Sequence, residues 1–90
     1  MTVEVEEFET GSRDYMKTFC EGRHPGVVSI LPYFAWSHLP AKLQPYSRNC
    51  ADLAIDMVAY IEDGPELVAG LRKLLEAKDC FVRAASDAHH

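Results

Sequence analysis

The stretch DGPELVAGLRKLLEAKDCFVRAA, residues 63–85, is the most strongly patterned part of the chain. Leu67, Leu71, Leu74, Phe81 and Ala85 recur in steps of four and three, and Lys78 stands where the series calls for another apolar residue. Val68, Leu75 and Val82 widen the row. Such spacing puts an apolar stripe along one side of an α-helix. The start is marked as well. Asp63 is placed to cap the helix, Pro65 is tolerated in a first turn, and Glu66 follows Asp63 by three residues as in a capping box.

Upstream, AKLQPYSRNCADLAIDMVAYIED (residues 41–63) carries the same alternation through Leu43, Tyr46, Cys50, Leu53, Met57 and Tyr60. Pro45 suits a first turn and would break a helix interior, so this helix begins near Pro45 and runs to about Glu62. The link between the two helices is only EDGP. Helices of this length joined so tightly fold back on each other, which predicts an all-α protein built on an antiparallel αα-hairpin. Ala54, Ile55, Val58 and Ile61 make the first stripe wider than one partner helix can cover. Soluble monomers rarely leave such apolar surface open. The hairpin is therefore expected to pack against an amino-terminal helix, to assemble as a homo-oligomer, or both.

Residues 1–31 are expected to hold an acidic tail, one short helix and an extended segment, with the helical hairpin domain over 32–90. MTVEVEEFETG reads as a tail or a weak strand. SRDYMKTFCEG reads as a short helix capped by Ser12 and ended by Gly22. RHPGVVSIL reads as a turn and then an extended apolar segment, and LPYFAWSHLP, bracketed by Pro32 and Pro40, holds two helical turns at most.

Ninety residues make one small domain. The net charge of −5 is concentrated in Glu4, Glu6, Glu7 and Glu9, and no basic face of the kind that binds duplex nucleic acid is visible. Cys20, Cys50 and Cys80 are odd in number and form no CxxC, which reads as reduced thiols in a cytoplasmic protein. No apolar run approaches the ~20 residues of a membrane span.

No serine sits in a strand-to-helix elbow, and the carboxylates of the second helix alternate with bases. Arg72 precedes Glu76 and Asp79 precedes Arg83 by four, the spacing of a solvated helix face. Cys20 and His24 form one metal-ligand pair without a second, so neither a metal nor another cofactor is expected. Aromatic residues concentrate in PYFAWSH, residues 32–38. Phe34 and Trp36 either cover the open end of the hairpin or offer a stacking platform for a planar base. Phosphate would then need cations: Arg48, Arg72 and Lys73, with a neighbouring copy supplying the last two. The expected ligand-binding set is Trp36, His38, Ser47, Arg48, Arg72 and Lys73.

The segments Ser37-His38-Leu39-Pro40 and Gly70-Leu71-Arg72-Lys73-Leu74-Leu75-Glu76-Ala77 resemble the hairpin domain of phage anti-CBASS cyclic-oligonucleotide sponges, a domain shared with some anti-Thoeris sponges. The resemblance covers about residues 36–86. It implies a compact helical oligomer that sequesters cyclic di- or trinucleotide immune signals in the bacterial cytoplasm without cleaving them. Ser37 stands where the family has a tyrosine, which gives base stacking to Trp36. Arg48 would be the family's phosphate-binding cation, and Pro65-Glu66 replaces an Arg-Glu pair. The competing expectation is a helical interaction module whose apolar stripe binds a host or virion protein.

Overall fold

A computed structural model describes residues 8–88, so the tail-or-strand reading of residues 1–7 lies outside the described residues. The elements are α1 (Arg13–Lys17), α2 (Pro25–Ile30), α3 (Gln44–Tyr60) and α4 (Pro65–Ala88), with 3₁₀ turns at Thr18–Cys20 and Leu31–Phe34. Among the described residues there is no strand and no helix long and apolar enough to cross a membrane.

The Oγ of Ser12 accepts the Tyr15 N–H at 3.1 Å and starts α1. Gly22, at φ +72°, turns the chain after the 3₁₀ turn. The next segment corrects the expectation of an extended stretch, because Pro25–Ile30 is helical. Pro25 presets the first turn, and the Nδ1 of His24 accepts the Gly26 N–H at 3.0 Å. Short apolar runs do not separate strand from helix by periodicity. Here burial decides, since helix geometry turns Val27, Ile30 and Leu31 into the core together.

Pro45 lies in the first turn of α3, and residues 61–64 link α3 to α4. Leu53, Met57 and Ile61 flank Leu67, Leu71 and Leu74, while Tyr46 and Cys50 flank Phe81 and Ala85. The two helices therefore run in opposite directions. Ser47, Ala51, Ala54 and Val58, spaced four, three and four, form the inner side of α3 and are buried. The small side chains let Met16, Val27, Leu31 and Phe34 approach, and none of these four keeps solvent exposure. Burying a side chain of that size contributes about 1.5–3 kcal/mol. One cluster thus joins the amino-terminal turns to both long helices. The boundary drawn between residues 31 and 32 falls inside a 3₁₀ turn of that cluster.

Asp63 does not cap α4. Its Oδ1 accepts the Arg23 Nε–H at 2.7 Å, and its Oδ2 accepts the His24 backbone N–H at 2.7 Å. Arg23 also donates to the carbonyls of Val58 and Ile61, where α3 ends with unsatisfied acceptors. A clasp therefore ties the loop before α2 to the α3–α4 link. The carbonyl of Gly64 receives the Val68 N–H instead, at 3.2 Å. The expected helix-face pairs also differ. Asp79 contacts Lys78 at 2.8 Å, Arg83 donates to the Cys80 Sγ at 3.4 Å, and Arg72 has no carboxylate partner among the described residues.

Candidate functional site

Of the six expected ligand-binding residues, the structure pairs Trp36 with Arg48 and does not gather all six at one site. Trp36 is 8% exposed, and its backbone N–H donates to the Gly11 carbonyl at 2.7 Å. The Gly11 backbone lies directly against the indole, and the Arg48 guanidinium sits 4.9 Å from the ring centroid on α3. Trp36 is therefore a packed joint between the amino-terminal turn and α3, with no open face for a base. Ser47 is wholly buried, and its Oγ has no hydrogen-bond partner among the described residues. It cannot meet a ligand from solvent. His38 is exposed. Arg48 keeps 55% side-chain exposure and lies 3.7 Å from Asp52.

Arg72 and Lys73 are adjacent, and successive helical residues point about 100° apart. Arg72 borders a cleft of about 580 Å³ with His24, Asp63, Pro65 and Val68. Lys73 faces elsewhere and has no partner among the described residues. A ligand held by both would need a second copy.

What the structure does bring together lies along the open side of α3 and α4, opposite the amino-terminal turns. Toward the link, Leu53, Met57, Leu67, Leu71 and Leu74 line an apolar groove of about 280 Å³. Toward the far end, Tyr46, Asn49, Cys50, Phe81 and three alanines line a wider cleft of about 530 Å³. Tyr46 and Phe81 expose 41% and 56% of their surface there. Lys78 runs alongside with only 13% side-chain exposure. Burial pushes the Cys50 thiol up from its ordinary value, and the nearby Lys78 charge opposes that shift. The cleft thus has two aromatic walls and one amide, and Lys78, paired with Asp79 at 2.8 Å, brings a cation near its Cys50 side. That composition suits a planar, anionic small molecule, and the volume lies in the usual range for small-molecule pockets.

Tyr46, Asn49, Lys78 and Phe81 were missing from the expected set. The available signal was Lys78 itself, a charge seated where the apolar series has its gap. No group of three His, Cys, Asp or Glu side chains able to hold a metal occurs among the described residues. Comparison with protein-family models, curated proteins and solved structures gives no match to this chain.

Proposed function

We propose that this chain is a non-enzymatic phage protein that binds and withholds a cyclic oligonucleotide signal in the bacterial cytoplasm. It works as a homo-oligomer built on the α3–α4 hairpin. The observation that carries this reading is the cleft of about 530 Å³ between Tyr46 and Phe81, with Asn49 and Cys50 in its lining and the Lys78 charge near Cys50. Aromatic faces attract nucleobases at ~1–3 kcal/mol each and Lys78 meets phosphate charge. The resemblance of residues 36–86 to the sponge hairpin supports the same ligand class. Relative to the expected site, stacking passes from Trp36 to Tyr46 and Phe81. Phosphate contact passes from Arg48 to Lys78.

A thermal-shift screen with cyclic di- and trinucleotides tests the reading. A ligand at 100 times its dissociation constant stabilises the fold by about 2.7 kcal/mol. Lys78→Met and Phe81→Ala are expected to remove the shift, and the bound nucleotide is recovered intact after heating. No shift with any cyclic nucleotide would overturn the function, a shift retained in Lys78→Met would overturn the site, and a cleaved product would make the protein an enzyme.

The second reading is a protein-interaction module. The groove of Leu53, Met57, Leu67, Leu71 and Leu74 favours it, since apolar grooves between helices receive amphipathic helices.

A further inference from the structure

The open face of α3 and α4 is a self-docking surface, we propose: two copies meet about a two-fold axis parallel to the helices, each α3 lies on its partner's α4, and Asp56 pairs with the partner's Lys73. This rests on the assembly part of the function proposed above and gives it a surface and an orientation, with the cleft of Tyr46 and Phe81 enclosed between the two copies.

Two rows face outward on this side. On α3, Tyr46, Leu53 and Tyr60 recur every seven residues and are 41%, 46% and 80% exposed. On α4, Gly70, Ala77 and Ala84 recur at the same interval. One helix is therefore a row of bulky knobs and the other a row of small residues broken by Phe81, with open space around the Gly70 Cα where a side chain would project. A seven-residue repeat is the spacing of a helix-on-helix seam. The paired length is about 25 Å at ~1.5 Å per residue, and two helices are ~20 Å across. The face projects about 500 Å² and more with side-chain relief, the order of the ~800 Å² per partner that stable interfaces bury.

Shape and charge choose the same arrangement. An axis perpendicular to the helices would stack α3 on the partner's α3, setting bulky row against bulky row. The parallel axis sets the knobs against the small residues. Measured from the link, Leu53 then lies at about 10 Å and Gly70 at about 8 Å, close enough to interdigitate. Asp56 lies at about 6 Å and Lys73 at about 12 Å, an offset that a lysine side chain spans. Both residues are exposed, and neither has a partner among the described residues.

Sedimentation equilibrium provides the test, with circular dichroism to verify folding. The wild type is expected at twice 10.1 kDa. Gly70→Leu should give a folded monomer, because a Cβ at this position meets nothing within 4 Å in its own copy and the larger side chain fills the space the partner would take. Asp56→Lys and Lys73→Glu should each weaken association by about tenfold or more, since each turns both cross-copy pairs repulsive. Mixed in equal amounts, these two variants should associate as the wild type does, because each mixed pair again joins opposite charges. A monomeric wild type, undiminished association in Gly70→Leu, or a mixture no tighter than either variant alone would overturn the proposal. A nucleotide-dependent thermal shift in a monomeric wild type would leave the ligand reading standing and overturn only this one.

Discussion

Replacing Gly11 by alanine tests whether Trp36 is a structural joint or a movable platform. The residue has φ +84°, and a Cβ placed there would lie 2.4–2.7 Å from three indole carbons. Gly22 is the matched control, since its φ is +72° and nothing lies within 4 Å of its added Cβ. Both substitutions pay for a left-handed backbone, about 1–2 kcal/mol, less the ~0.4–1 kcal/mol gained by stiffening the unfolded chain. Gly22→Ala should therefore cost about 1 kcal/mol. Gly11→Ala must also displace an indole held on α3 by Arg48, and forcing atoms into a packed site adds about 1–3 kcal/mol. Urea titration read by circular dichroism gives both values. The sequence has one tryptophan, so its fluorescence reports the displacement directly. In a domain of this size each 1 kcal/mol lowers Tm by roughly 4–8 °C, which separates the two variants. Equal losses with unchanged emission would refute the joint and return Trp36 to the role of a stacking platform.

Asp63 should shape the acid limb of the stability curve. The His24 N–H foremost, helped by Arg23, holds its carboxyl below the ordinary value of 3.8. A depressed folded pKa contributes stability that is complete above the unfolded value and disappears as pH falls through the folded one. The gap between wild type and Asp63→Asn, measured by urea titration from about pH 6 downward, should therefore begin to shrink as pH falls through the ordinary carboxylate value and go on shrinking below it; a gap independent of pH would disprove the clasp. Leu71→Ala removes a core side chain with 2% exposure and should cost about 2–5 kcal/mol, measured by the same titration. A thiol reagent at neutral pH should label Cys80 quickly and leave Cys20 and Cys50 unmodified until the chain unfolds, because the latter two are buried and burial raises their pKa values. Mass spectrometry counts the labels.

The long helices were legible because their signals are local. The apolar steps from Leu43 to Tyr60 and from Leu67 to Ala85, the prolines at 45 and 65 and the four-residue link all act within a few turns of chain. The helical state of Pro25–Ile30 was not, because so short a run around Val27, Val28 and Ile30 satisfies strand and helix alike until a surface exists for Val27 and Leu31 to bury against. Asp63 illustrates a sharper limit. By local rules it is a helix cap, yet Arg23 and His24, about 40 positions away, offer a cation and a backbone N–H at 2.7 Å each. A capping carboxylate receives one backbone N–H. The clasp provides a backbone N–H and a guanidinium together, and charge-assisted bonds are the stronger kind. The long-range partner therefore wins, and no window of sequence contains both sides of that competition. The candidate site divides in the same way. Lys78 was visible as a gap in the apolar series, but its meaning depends on Cys50, which comes near it only after α4 packs on α3. Trp36 misled for the converse reason. An aromatic beside a histidine in a proline-bracketed loop reads as accessible, and only the docking of Gly11 against the indole, 25 residues upstream, closes it.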